Sequence, residues 1–148
     1  MSGPLPRRAL LASGLAAAAA LRPGGAEATP AEARALLQSL APGAAREGRV
    51  SLRVEAIADN GAQVPLVVAV DSPMTEADHV RALHLVADGN PAPGVASFAF
   101  TPRAGRCEVS LRLRLARSQR IFALAEMSDG SLWTASREVT VTTGGCSA

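Results

Sequence analysis

The sequence predicts an all-β fold, an immunoglobulin-like antiparallel sandwich of about seven strands. From Arg49 onward, apolar and polar residues alternate with a period of two, the pattern of strands that bury one face. Turn-forming residues cut this region into short segments without helical crossovers, which favours antiparallel pairing. The predicted strands are Val50–Ile57, Gln63–Val70, Val80–Ala87, Val95–Thr101, Arg106–Leu115, Arg120–Met127 and Ser131–Thr142.

The turns and aromatic residues support this fold. Asp129-Gly130, set between two alternating segments, is the strongest hairpin signal in the chain. A ligand-stacking role is the alternative for Trp133, but a place in the core is the expectation for it and for the three phenylalanines. The expected core aromatics are Phe98, Phe100, Phe122 and Trp133.

A short helix is predicted over Pro30–Leu40, before the first strand. Its apolar residues recur at helical spacing, Thr29 is a candidate N-cap, and Pro30 stands at the first helical position. Pro42-Gly43 then ends the helix.

Residues 1–28 are predicted to be a signal peptide. Arg7-Arg8 precede the apolar segment Ala9–Leu21, and Ala26-Glu27-Ala28 fits a small-x-small cleavage site. The paired arginines indicate the twin-arginine export route. A retained membrane anchor is the alternative, although the apolar segment is short for spanning a bilayer. Cleavage would leave a domain over residues 29–142 and a C-terminal arm over residues 143–148.

The composition argues against nucleic-acid binding. All 15 basic residues are Arg, they are scattered along the chain, and the net charge is only +2. This gives no concentrated positive field for phosphates. Tyr is absent and aromatic residues make up 3% of the chain, so stacking platforms for single strands are missing as well.

The two cysteines, Cys107 and Cys146, have different expected environments. Cys107 begins an alternating strand and is predicted to point inward, where a thiol behaves as a small apolar side chain. Cys146 is third from the end and follows Gly144-Gly145, whose flexible backbone lets a terminal thiol enter another protein's cleft. A disulfide between the two cysteines and an incidental terminal thiol are the alternatives in an exported chain.

No metal, cofactor or catalytic residue is expected. His79 and His84 are the two histidines, and neither Cys-x-x-Cys nor His-x-x-x-His spacing occurs. Hydrolase and phosphate-binding motifs are also missing. The scattered carboxylates are interpreted as solvated turn residues, namely Asp71, Glu76, Asp78 and Glu126.

Five segments stand out between about Ile57 and Cys146. They are Val64-Pro65-Leu66-Val67-Val68, Asp71-Ser72-Pro73-Met74-Thr75, Asn90-Pro91-Ala92-Pro93, Ala125-Glu126-Met127-Ser128-Asp129-Gly130-Ser131 and Gly144-Gly145-Cys146. In this order they resemble the SoxY family, the sulfur carriers of thiosulfate oxidation. The terminal Gly-Gly-Cys is the most specific of the five.

The resemblance implies a periplasmic, non-enzymatic, immunoglobulin-like subunit that pairs with a second subunit, SoxZ, and carries sulfur on Cys146. SoxAX cytochromes would join thiosulfate to this thiol, SoxB would hydrolyse off sulfate, and the sulfane dehydrogenase SoxCD would oxidise the sulfur that remains. The glycines Gly144 and Gly145 would let the arm enter each active site.

Two features depart from the family pattern. The family usually ends in Gly-Gly-Cys-Gly-Gly, whereas this chain ends in Gly-Gly-Cys-Ser-Ala, and Cys107 is not expected. A structural or interaction subunit that has lost efficient sulfur carriage is therefore the first alternative. A thiol enzyme is the second, and it would need Cys107 as its resolving thiol.

Overall fold

The structure, a computed structural model, describes residues 28–142. It contains one α-helix, nine strands and a short 3₁₀ turn at Pro102–Ala104. The helix is α1 (Pro30–Leu40), as predicted. The strands are β1 (Ala45–Glu47), β2 (Val50–Val54), β3 (Ile57–Ala58), β4 (Val64–Val70), β5 (Val80–Ala87), β6 (Gly94–Ala99), β7 (Cys107–Leu113), β8 (Gln119–Met127) and β9 (Leu132–Val141).

The strands form two sheets that pack as an immunoglobulin-like sandwich. The larger sheet has the order β1-β9-β8-β5-β6, with β3 also paired to β9, and the smaller sheet has the order β2-β4-β7. Pairing is antiparallel except at β1–β9 and β3–β9, which are parallel. The predicted fold class is confirmed.

The core lies between the two sheets and follows from the alternation in the sequence. Along β4, Val64, Leu66, Val68 and Val70 are buried, and the residues between them are half-buried or exposed. Each sheet thus turns its apolar face toward the other, which removes that face from water. The largest fully buried side chains include Leu66, Leu83, Leu85, Leu115, Ile121 and Met127.

The first predicted strand, Val50–Ile57, proves to be two strands in different sheets. β2 pairs with β4 in the smaller sheet, and the last pair of this ladder is Val54 with Leu66. The chain then crosses to the larger sheet, where β3 runs parallel to the end of β9. Local alternation does not reveal such a crossing, because each half of the segment still has the composition of a strand.

Strand β1 was not predicted, because its three residues are all exposed and give no alternation. It pairs through its backbone with β9, and its parallel register aligns Arg46 with Trp133.

The aromatic residues lie closer to the surface than predicted. Phe98, Phe100 and Trp133 are half-buried and pack against the edge of the core. Phe122 follows the fully buried Ile121 along β8, so its side chain projects from the opposite face of the larger sheet. The prediction that all four fill the core is therefore wrong for Phe122 and only partly right for the others.

Helix α1 covers part of the outer face of the larger sheet. Its start is a capping box, in which Thr29 Oγ1 accepts from the Glu32 N–H and Glu32 Oε2 accepts from the Thr29 N–H. Leu37 packs against Leu124 and Leu132 in a second, smaller core. Within residues 28–142, no helix has both the length and the apolar character needed to cross a membrane.

Candidate functional site: the base of the C-terminal arm

The predicted site residues Gly144, Gly145 and Cys146 lie outside the described residues, as do the predicted signal residues 1–27. The structure describes the chain up to Thr142. Residues 140–142, at the end of β9, are termed the arm base. The position of these residues determines how far the Cys146 thiol can extend from the domain.

One side of the arm base is bound to β3. The backbone N–H of Thr140 donates to the carbonyl of Ala56 at 2.8 Å, and that of Thr142 donates to the carbonyl of Ala58 at 3.1 Å. The Thr142 hydroxyl makes a longer contact of 3.4 Å to the same Ala58 oxygen. Strand β3, which the sequence did not predict as a separate strand, thus binds β9 at the point where the chain leaves the domain.

The other side of the arm base is bound by Ser118. The regular β8–β9 ladder ends at the pair Gln119 and Val139. Two residues later, the N–H of Val141 donates to Ser118 Oγ at 2.9 Å. A side-chain hydroxyl thus takes the place of a backbone carbonyl and extends the bonded part of β9 beyond the ladder.

Asn90 holds the loop that carries Ser118. Its Nδ2 donates to the carbonyl of Arg114 at 2.9 Å, and its Oδ1 accepts from the N–H of Ala116 at 3.0 Å. Because one amide binds both a carbonyl and an N–H of the same short loop, the backbone between β7 and β8 has little freedom to move.

Gln119 supports this loop from inside the protein. It is the one buried polar residue of the described chain. Its Oε1 accepts from the N–H of Gly89 at 2.8 Å, and its Nε2 donates to Asn90 Oδ1 at 2.8 Å and to the carbonyl of Arg117 at 3.0 Å. Every polar atom of the buried amide group is therefore bonded, as burial requires.

Cys107 is inward-pointing, as predicted, and lies at the far end of the sandwich. It is 2% exposed and pairs with Val70, whereas the other end of the same ladder pairs Leu113 with Val64. These ends are about 20 Å apart for six residues of strand. The arm base lies at the Leu113 end, because Leu115 just beyond it bonds Gly61 at 2.7 Å in the turn after β3.

The distance argues against a disulfide between Cys107 and Cys146 in the folded chain. Cys146 is four residues beyond Thr142, so its reach from the arm base is at most about 14 Å. Burial also raises the pKa of the Cys107 thiol to about 11, opposed by a weaker effect of a hydrogen bond with the Val70 backbone. Cys107 is free in the structure.

The histidines lie away from the arm base. His84 Nδ1 is 2.7 Å from Ser97 Oγ, and His79 Nδ1 is 3.0 Å from the carbonyl of Thr75. Burial lowers the pKa of His84, against a smaller opposite effect of Glu126. Over residues 28–142, His, Cys, Asp and Glu form no group of three or more suited to holding a metal ion.

Two of the carboxylates interpreted as solvated turn residues are ion-paired instead. Asp78 accepts from both terminal nitrogens of Arg49, at 3.2 and 3.0 Å. Glu126 lies within β8 rather than in a turn and is 3.4 Å from Arg81. Neither partner could be predicted from the sequence, because the paired residues are distant along the chain.

The chain was compared with known protein families. The profile of the family described as "Sulfur oxidation protein SoxY" matches residues 34–146, so the matched region includes the whole sandwich and extends to Cys146. The chain belongs to the SoxY family. No curated protein matches it significantly.

A solved structure of the family supports the assignment. The sulfur carrier protein SoxY from Chlorobium limicola f thiosulfatophilum is 30% identical, with a TM-score of 0.62, and the alignment covers 74% of this chain and 96% of that one. The chain is accordingly a sulfur carrier protein of the Sox system and not an enzyme, as the resemblance in sequence predicted.

The fold is also shared with proteins of another class. A superoxide reductase (neelaredoxin) from Ignicoccus hospitalis is 22% identical, with a TM-score of 0.56, and the alignment covers 81% of this chain and 98% of that one. At this identity the likeness concerns the sandwich fold alone.

The sequence predicts the arm, which lies outside the described residues, but gives no indication of the residues at its base. Asn90 belongs to the segment Asn90-Pro91-Ala92-Pro93, which supports the family resemblance but indicates no role for its side chain. Ser118 stands in a polar segment that gives no signal, because its partner Val141 is 23 residues away.

Proposed function

We propose that this SoxY family member is a periplasmic protein that carries thiosulfate-derived sulfur as a covalent adduct of Cys146. The observation that carries the proposal is the extent of the family match, which runs through the sandwich and ends at Cys146. The described structure supports it, because hydrogen bonds fix the chain as far as Thr142 and Cys146 follows four residues later.

The comparison of the two thiols supports Cys146 as the carrier. A thiolate, not a thiol, is the nucleophile and the disulfide-forming species. Burial disfavours the thiolate of Cys107 by raising its pKa to about 11, and access to its sulfur is closed by the core. Cys107 therefore fits a role in packing, and carriage falls to Cys146.

The chemistry at Cys146 would proceed in two balanced steps. Joining thiosulfate to the thiolate forms a bond between the cysteine sulfur and the outer sulfur of thiosulfate, and it releases two electrons, which SoxAX cytochromes would accept. SoxB would then break the bond between the two thiosulfate sulfurs with water. Sulfate and two protons leave, and a persulfide remains on Cys146, which SoxCD would oxidise further.

Pairing with a SoxZ-like subunit completes the proposal. The arm supplies only a few residues for contact, and Gly144 and Gly145 carry no side chains. Recognition by the processing enzymes must therefore depend on the surface of the sandwich and its partner subunit. The Arg7-Arg8 segment and the Ala26-Glu27-Ala28 site support export by the twin-arginine route.

The deciding experiment is intact-mass analysis of the periplasmic protein from thiosulfate-grown cells, purified without reductant. We expect adducts with the masses of thiosulfate or added sulfur atoms, removable by a thiol reductant and mapped to the peptide that contains Cys146. The matched control is Cys146→Ser, which should carry none of these adducts while Cys107 remains unmodified.

A structural subunit without sulfur carriage is the second candidate, and the Ser147-Ala148 ending favours it. These residues place two side chains beyond the thiol where the family usually has glycines, and this added bulk would hinder a narrow active-site channel. An unmodified Cys146 thiol in protein from cells that are oxidising thiosulfate would support this second candidate and contradict the first.

A further inference from the structure

We propose that Ser118 is a positioning residue for the carrier arm: it holds Val141 from the β8 side and thereby restrains the direction in which the chain leaves β9 toward Cys146. This inference rests on the proposed function. It concerns a residue in a different part of the chain from the arm, with no place in the packing of the core.

The hydrogen bonds at the arm base alternate between two sides. Successive N–H groups of a strand point in opposite directions, so Thr140 and Thr142 bind β3 while Val141 faces the β8 side. The β8–β9 ladder has ended by then, and Ser118 Oγ is the acceptor for Val141 at 2.9 Å. Without this hydroxyl, β9 would be bound from one side only over its last residues.

Ser118 is placed by a rigid support rather than by the core. Its own side chain is exposed, so removal of the hydroxyl leaves no cavity. The loop that presents it is bonded by Asn90 at Arg114 and Ala116, and the buried Gln119 binds Asn90 in turn. These contacts of Gln119 and Asn90 hold the Ser118 hydroxyl beside the end of β9. The loop is exposed to solvent, so burial of polar groups does not by itself require this arrangement.

The consequence for carriage is entropic. An enzyme that binds the arm in a channel must order every residue between the last fixed point and Cys146, and each ordered residue has a conformational cost. Thr142 is bonded to β3, so the bond to Ser118 does not set the length of this segment. It restrains the direction in which the segment leaves β9, which raises the effective concentration of the thiol at a docked active site.

The test compares enzyme-catalysed loading of Cys146 with its intrinsic reactivity. In Ser118→Ala, we expect kcat/KM for adduct formation by the SoxAX-type cytochrome, with thiosulfate as substrate, to fall about five-fold, the cost of ordering about one residue at the end of β9 that Ser118 restrains in the original chain. Reaction of Cys146 with a small neutral disulfide should be unchanged, because that reagent needs no directed arm. Amide exchange of Val141 should become at least about ten-fold faster.

Two control variants make the comparison specific. Ser118→Thr keeps the hydroxyl and should restore both the loading rate and the protection of the Val141 amide. Ser51→Ala removes an exposed hydroxyl of the smaller sheet that contacts the Ala69 carbonyl at 3.5 Å, and it should alter neither. Thermal unfolding of all three variants should stay close to that of the original chain.

The outcomes that overturn the inference differ from those that overturn the proposed function. Equal loading by Ser118→Ala and the original chain, or equal slowing with the small disulfide, would show that Ser118 does not position the arm. If the original chain forms no adduct with the enzyme, the proposed function fails. Val141 amide exchange then still decides whether Ser118 fixes the arm base.

Discussion

Cys107 lies directly opposite Val70 in the β4–β7 ladder, at the end of the sandwich remote from the arm base. The β4–β7 ladder thus places Cys107 about 20 Å from the Leu113 end, at which the chain leaves the sandwich. It also keeps the inner thiol protonated, because burial raises the pKa of Cys107 to about 11 from the ordinary 9.0. Oxidants act on the thiolate, so this arrangement directs sulfur chemistry to the outer thiol.

The raised pKa of Cys107 predicts a specific loss of stability at high pH. Below about pH 9 the thiol is protonated in both the folded and the unfolded chain, so the stabilisation is complete. Between about pH 9 and 11 the unfolded chain releases its proton first, and the free energy of unfolding should fall by up to about 2–3 kcal/mol. Urea unfolding at a series of pH values measures this fall.

Few other groups of this chain titrate in the pH range of that measurement. The chain has neither Lys nor Tyr, so the thiols of Cys107 and Cys146 are the side chains with ordinary pKa values near this range. Cys107→Ala is the matched control and should remove the pH dependence, although its stability at neutral pH will be lower. A fall of the same size in Cys107→Ala would assign the effect to another group and contradict the prediction.

Cys146→Ser is expected to separate carriage from folding. The substitution removes the nucleophile and leaves every residue of the described sandwich core unchanged, so the free energy of unfolding should change by less than about 0.5 kcal/mol. Adduct formation with thiosulfate and the cytochrome should fall to background. Denaturant unfolding and intact mass on the same preparation check both halves. A large loss of stability would show that Cys146 has contacts in the fold.

Gln119→Leu is expected to destabilise the chain by about 2–3 kcal/mol. Leucine fits an apolar site, but it leaves the buried N–H of Gly89 without its acceptor and removes the donor to Asn90 Oδ1, and buried polar groups without partners are costly. Gln119→Glu keeps an acceptor for Gly89 and loses the donor to Asn90. Urea unfolding should place it between the original chain and Gln119→Leu. Equal stability of all three would mean that the amide network contributes nothing.

The sequence predicted what depends on local alternation. Cys107 begins a strand in which apolar and polar residues alternate, and the structure buries Cys107 and Leu113 of that strand as expected. In the same way, the buried face of β4 could be read directly from the sequence. In each case one side of a strand faces the core, and the period of two is enough to identify it.

The residues of the arm base lacked such a signal, because their partners are far apart in sequence. Ser118 binds Val141, and β3 reaches β9 only after the chain has crossed between the sheets. Both contacts depend on the sheet order, which alternation does not encode. The same holds for the Arg49–Asp78 pair, whose members are 29 residues apart.

The position of the Trp133 ring leaves room only for glycine at position 48. Gly48→Ala should therefore lower the free energy of unfolding by about 2 kcal/mol or more. Two independent reasons apply. The backbone at Gly48 has a φ of +148°, which side-chain-bearing residues rarely adopt, and an added Cβ would lie 2.9 Å from a carbon of the Trp133 ring. The guanidinium of Arg46 lies over the ring, 4.6 Å from its centroid, so a displaced ring would also lose this cation–π contact.

Gly130→Ala is the matched control for this prediction. Gly130 also has a positive φ, +83°, but no atom lies within 4 Å of the position of its added Cβ. It therefore measures the cost of backbone strain alone, about 1 kcal/mol. A shift in Trp133 fluorescence that occurs in Gly48→Ala and not in Gly130→Ala reports the contact with the ring. The excess loss in urea unfolding contains this contact together with the stronger backbone strain at a φ of +148°. Equal losses in the two variants, with unchanged fluorescence, would show that Trp133 yields freely and that strain at Gly48 is the whole effect.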